Sequence, residues 1–322
     1  MALRFGLLVP QGWRLDLVGI ADPIEAYETM THVAREAENL GFDSIWLFDH
    51  FHTVPQPLQE VTFECWTSTA ALARDTRRVR IGQMVTCSAY RNPALLAKMA
   101  STVDVLSHGR LDFGIGAGWY EHEWRAYGYG FPEAPERLRM LREAVQILLK
   151  MWTEEEAYFE GRYYQVHGAI NQPKGVQQPH IPLLIGGGGE QVTLKLVAQY
   201  ADACNVGHLD LAGIAHKFAV LQQHCEAIGR DYQTIKRTVL FNCAIAETDE
   251  EAMRKAQQSY MGRNVSPEQL RERELVGSPE TIRQRLAAYE EVGAQEVIVY
   301  LPDAAQLESV RLFAHECMAR LR

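Results

Sequence analysis

Eight short apolar segments, most of them followed by a stretch of helical periodicity, predict an α/β fold: a parallel (β/α)8 TIM barrel. The length agrees, because 322 residues exceed the roughly 250 that such a barrel needs. The competing architecture, a doubly wound open sheet, calls for a nucleotide-binding glycine fingerprint after the first strand, and none follows it.

The strands are read at residues 4–10, 44–48, 79–86, 111–115, 182–185, 203–206, 238–246 and 296–301. The first helix places Tyr27, Met30, Ala34, Ala37 and Leu40 on one face and stops at Gly41, a residue suited to the position just past a helix end. Another starts at Pro93 and buries Leu96, Met99, Val103 and Leu106. A third, residues 135–152, repeats Leu138, Leu141, Val145 and Leu148. In the last unit Ser278 caps and Pro279 opens a helix carrying Ile282, Leu286 and Tyr289.

The surplus length falls between the fourth and fifth strands, about residues 116–180, where residues 157–166 read as a small hairpin turning at Gly161. Residues 261–276 are irregular and read as a mobile lid. No linker or repeat divides the chain, so residues 1–322 are taken as one domain.

A hydrophobic fraction of 47% supports a large core, and a net charge of −9 argues against nucleic acid or an anionic membrane as the main partner. No apolar run approaches the roughly 18 residues that span a bilayer. The N-terminus reads as a strand rather than a signal peptide. Six cysteines without a Cys-x-x-Cys suit reduced, buried thiols in the cytoplasm.

In such barrels the ligand sits over the C-terminal strand ends. The fourth strand runs into Gly114, Gly116 and Gly118, followed by aromatics, acids and His122. Glycines at a strand end open the backbone to close approach, here by a flat polar ligand; taken alone they make a tight turn more often than a site. The fifth strand ends in Gly186 to Gly189 ahead of a helix start, an anion pocket suited to phosphate. Glu190 is compatible with a phosphate there only if it caps the helix or points outward. The second strand ends in Asp49 and His50; histidine titrates near neutral pH and an adjacent carboxylate can hold its tautomer. His50 and His52 lack a third ligand at useful spacing, so no metal site is assigned.

The stretches 41–50, 80–94, 109–128, 159–164, 182–189 and 277–280, in this order, resemble the luciferase-like monooxygenases and their F420-dependent oxidoreductase branch over nearly the whole chain. The resemblance implies a barrel, usually dimeric, that holds coenzyme F420 or FMN over the strand ends. The family's carboxylate–histidine pair falls on Asp49 and His50, with the histidine near the reactive ring. A bulge with a non-proline cis peptide falls on Met84–Val85 and backs that ring. The implied cofactor residues are Met84, Val85, Thr86, Gly116, Gly118 and His122, with the phosphate on Gly187, Gly188 and Gly189. Trp119, Tyr120, His122 and Tyr90 are expected to line the pocket, while Trp124 and Tyr127 read as packing.

Departures from the family pattern matter too. Trp119 stands where the sugar-phosphate dehydrogenases of this family carry glutamate, and no lysine lies between Lys195 and Lys217. Gly116 and Ala117 stand where bacterial luciferase has cysteine and arginine, which favours F420 over FMN. The expected activity is hydride transfer between F420 and a small organic substrate, with His50 moving a proton and Asp49 orienting it, in a cytoplasmic homodimer. The alternatives are an FMN-dependent monooxygenase using oxygen, a non-catalytic flavin- or deazaflavin-binding protein, and a cofactor-free lyase or isomerase. The sequence does not specify the substrate.

Overall fold

The computed structural model describes residues 2–262 and 265–321. In chain order the strands are β1 (Arg4–Leu8), β2 (Ser44–Leu47), β3 (Arg80–Gln83), β4 (Thr86–Cys87), β5 (Leu111–Gly116), β6 (Glu156–Glu160), β7 (Gln165–Ile170), β8 (Leu183–Gly186), β9 (Ala203–Gly207), β10 (Lys236–Ile245), β11 (Leu275–Gly277) and β12 (Glu296–Tyr300). Eight of them close a parallel barrel in the order β1-β2-β3-β5-β8-β9-β10-β12, with β12 returning to β1. All eight strands read from the sequence are present. The short β4 continues β3 beyond a break and pairs with β5. β11 extends the sheet beside the end of β10.

The helices that matter below are α1 (Pro23–Asn39), α2 (Cys65–Asp75), α3 (Pro93–Leu106), α4 (Glu121–Ala126), α5 (Ala134–Thr153), α6 (Thr193–Tyr200), α7 (Leu211–Ala227), α8 (Asp249–Gln258), α9 (Pro267–Arg273) and α10 (Pro279–Glu291). Several start on side-chain caps, which satisfy backbone N–H groups that have no partner inside the helix. Asp22 accepts from Ile24, Asn92 from Ala94 and Ser278 from Thr281. α1 ends where Gly41 adopts a φ of 87°, as its position predicts.

Strand alternation divides the core in two. Leu7, Ile45, Phe113, Ile185, Phe241 and Val299 face outward and are buried against the helices. Leu8, Trp46, Leu184, Leu240, Ile298 and Tyr300 point into the barrel and fill it. Burial of each such side chain contributes about 1.5–3 kcal/mol, so this alternation is the main source of stability.

The inserted hairpin is real and antiparallel, β6 with β7. Glu143 of α5 accepts from the backbone N–H groups of Arg162, Tyr163 and Tyr164 in its turn. Asn171 at its base donates to Ser101 of α3. The hairpin therefore leans on the outer wall, and α4 is the part of the insertion that reaches the strand ends. Of the stretch read as a lid, residues 263 and 264 lie outside the described residues. Its remainder holds α9, capped by Ser266, whose Leu270 is buried with Met261 against Ala252, Met253 and Ala256 of α8.

Candidate active site

A cavity of about 340 Å³ lies over the strand ends. Of the residues expected there, Asp49, His50, Met84 and Val85 line it, together with Gly116, Gly118 and Gly187. Trp119 and Tyr90 also line it. Four expected cofactor residues do not. Thr86 is fully buried and turns its hydroxyl to Trp66 of α2, at 3.2 Å. His122 is exposed and rests against the ring of His52. Gly188 and Gly189 continue the loop outward from the rim. Tyr120, also expected in the lining, packs beside Trp119 and donates to the Thr53 carbonyl at 3.0 Å. Trp124 is buried packing, as expected.

The glycines of β5 correct the first impression. A side chain on Gly114 would run into the Gln83 carbonyl oxygen. One on Gly116 would meet Val85 Cγ2 at 2.7 Å, and one on Gly118 would meet Cys87 Sγ at 2.6 Å. The partner that approaches this edge is the chain's own β3–β4 segment. There the Met84–Val85 peptide is cis, as the resemblance implied, and Val85 lies over Gly116 and Gly186. The half-buried Val85 is thereby set at the cavity wall.

Asp49 does not orient His50. Its buried carboxylate takes two hydrogen bonds from the Arg91 guanidinium, at 2.7 and 3.0 Å, and one from the Cys87 backbone N–H. Arg91 also pairs with Glu64, the cap of α2. This arrangement ties the ends of β2 and β4 and the starts of α2 and α3 together. Asp49 holds the scaffold, and the reason is that side chains of sequence neighbours diverge.

His50 has a different partner. Its Nδ1 lies 2.9 Å from Oε2 of Glu123, on α4. Glu123 is wholly buried and accepts three further hydrogen bonds, from Phe51 N–H, His52 N–H and Tyr90 O–H. Burial alone would raise its pKa, but the His50 interaction and the two backbone N–H groups outweigh that and hold the carboxyl below the usual range. Burial, with Cys87 and Glu123 nearby, pushes the Tyr90 phenol up, so it stays a donor. Trp13, from the loop after β1, stacks flat on the His50 ring at 4.0 Å and 6°.

At the other end of the cavity Gly187 and Gly188 have room around them, whereas a side chain on Gly186 would meet Val85 Cγ1 and one on Gly189 would meet Thr193 Oγ1, both at 2.9 Å. A side chain on Gly188 would find only Lys217 Cε, at 3.5 Å. Glu190 turns outward to α7, where Lys217 and His216 share its Oε1 at 2.6 and 3.1 Å. Lys217 holds that carboxyl below its ordinary range. The roomy loop at Gly187 and Gly188, the wall at Val85 and an undonated buried N–H on Trp13 beside His50 together fit a flat ring carrying a phosphate. Among the described residues no group of three metal-ligating side chains occurs.

Glu123, Arg91, Trp13 and Lys217 were missed in the sequence. Only Glu123 left a signal, as an acid one position before the buried Trp124 on a helix that starts at the glycine series.

A family model for the luciferase-like monooxygenases matches residues 3–273. An uncharacterized protein of Mycobacterium tuberculosis is 32% identical over 218 residues, spanning 63% of this chain and 76% of its own. An F420-dependent glucose-6-phosphate dehydrogenase of Kineococcus radiotolerans is 28% identical over 320 residues, covering 90% and 91% of the two chains. The solved structure of an F420-dependent secondary alcohol dehydrogenase in complex with an F420-acetone adduct superposes over all of both chains with a TM-score of 0.85 at 20% identity, a likeness of fold.

Proposed function

The chain belongs to the luciferase-like monooxygenase family, and on that premise we propose that it is an F420-dependent oxidoreductase acting on a small organic substrate. The observation that carries the proposal is the convergence of His50, Val85 and the open Gly187 loop on one cavity. The F420-dependent names of the Kineococcus relative and of the alcohol dehydrogenase structure support the choice of cofactor.

In this reading the phosphate lies at Gly187 to Gly189 and is received on the backbone N–H groups of Gly188 and Gly189, since that of Gly187 donates to the Asn205 carbonyl at 3.0 Å, and Met84 and Val85 support one ring face. A bound deazaflavin supplies two-electron hydride chemistry. His50 takes the hydroxyl proton of an alcohol as its carbinol C–H bond gives up hydride, or returns it to a carbonyl oxygen in the reverse direction. Trp119 and Tyr90 exclude water from the reacting centre. No lysine or arginine is among the lining residues described, so the proposed substrate is uncharged and glucose 6-phosphate is not included. A homodimer belongs to the same proposal and is measured by sedimentation.

The test is titration of the protein with F420 and with FMN, followed by absorbance. F420 binding is expected; tight FMN binding with none of F420 would reverse the assignment towards oxygen chemistry. His50→Ala is expected to abolish F420 reduction by a panel of uncharged alcohols at unchanged F420 affinity. Full activity in that variant would remove His50 from the mechanism.

A further inference from the structure

We propose that Glu123 is a positioning residue that fixes His50 in its Nδ1–H tautomer, leaving Nε2 as the bare nitrogen of a ring that lines the cavity. An ionised carboxylate only accepts hydrogen bonds, and a neutral imidazole has one donor and one acceptor nitrogen. A contact of 2.9 Å between Glu123 Oε2 and His50 Nδ1 therefore places the proton on Nδ1. The carboxylate has no freedom to turn away. Its Oε1 is held by the N–H groups of Phe51 and His52, at 2.8 and 2.9 Å, and its Oε2 also accepts from Tyr90 at 2.9 Å.

The device is closed on itself. The two residues that follow His50 donate the backbone bonds that hold the carboxylate, and the carboxylate holds His50. Trp13 covers one face of the imidazole, and Nε2 has no hydrogen bond among the described residues. The catalytic value of the arrangement rests on the hydride-transfer reading. There, the Nε2 lone pair would take the proton as the substrate O–H bond breaks and a carbonyl forms, while the carbinol hydrogen would depart with its bonding electrons, the hydride acceptor being the deazaflavin when bound. The imidazolium so formed keeps its Nδ1–H directed at a buried anion, which stabilises the developing charge. The tautomer itself does not depend on that reading.

Glu123→Gln tests the proposal. The glutamine carbonyl can still accept from Phe51 and His52, but its N–H₂ group then faces His50 Nδ1 and turns that nitrogen into an acceptor. Two-bond ¹H–¹⁵N spectra of ¹⁵N-histidine-labelled protein, at a pH where the imidazole is neutral, report the tautomer; His50→Gln assigns the signal. Expected are Nδ1–H in the wild-type protein, Nε2–H in Glu123→Gln, and an F420 Kd within about threefold between them, because the carboxylate acts on the histidine. A wild-type His50 carrying its proton on Nε2, or an unchanged tautomer in folded Glu123→Gln, would overturn the proposal. If the variant does not fold, the wild-type spectrum still decides. Absence of F420 binding would count against the cofactor assignment and leave this outcome standing.

Discussion

The glycines that end β5 and those that end β8 look alike in sequence, yet they leave room for different partners. Gly114, Gly116 and Gly118 are packed by the protein itself: the Gln83 backbone, the Val85 side chain and the Cys87 thiol fill the space where their side chains would be. Gly187 and Gly188 meet nothing closer than 3.4 Å. A missing side chain thus marks close approach, and only the fold says whether a neighbour or a ligand does the approaching. The first series is filled by the β3–β4 segment; in the second, Gly187 donates its N–H to the Asn205 carbonyl, and the proposed anion falls to the N–H groups of Gly188 and Gly189.

This contrast can be broken by substitution. Gly114→Ala carries the largest expected effect, because its new methyl group meets backbone that cannot step aside; a loss of more than about 4 kcal/mol, or no soluble protein, is expected in thermal unfolding. Gly116→Ala meets a side chain instead, so overpacking of about 1–3 kcal/mol is expected. Adding Val85→Ala should recover much of that, and a double-mutant cycle without coupling would show that Val85 is not what Gly116 makes room for.

On the open series the balance reverses. Gly188→Ala should leave stability within about 0.5 kcal/mol, since the site is roomy, while F420 affinity falls tenfold or more, equivalent to about 1.4 kcal/mol. Unchanged affinity would move the phosphate away from this loop. The smallest effect is expected from Glu190→Gln, which frees Lys217 and His216 from their shared carboxylate oxygen. F420 binding should tighten by roughly threefold at low salt, and the gain should shrink as salt screens it. Weaker binding would show that Glu190 helps hold the site.

The site was only partly readable from the chain. His50, Val85 and Gly187 line the cavity as their positions at strand ends suggest. Thr86 turns away from the cavity because side chains along a strand alternate, and His122 because it sits on an exposed face of α4, whose orientation is set by docking of the helix. The role given to Asp49 failed for the same reason: its neighbour in sequence is His50, while its partner in space is Arg91. The eight strands, by contrast, are legible to within two residues at each end, with the third interrupted between Gln83 and Thr86.

By itself the sequence determined the alternation of strand and helix, the caps, and the face of the barrel on which any ligand must sit. Those depend on spacings of two to four residues, which local backbone geometry imposes. The tertiary structure alone decided that Glu123 holds His50 from 73 residues away, that Trp13 covers it, and that the β5 glycines are filled while Gly187 and Gly188 are open. Such pairings are set when the closed barrel brings separate strand ends to one rim, and no local pattern encodes which side chains meet there.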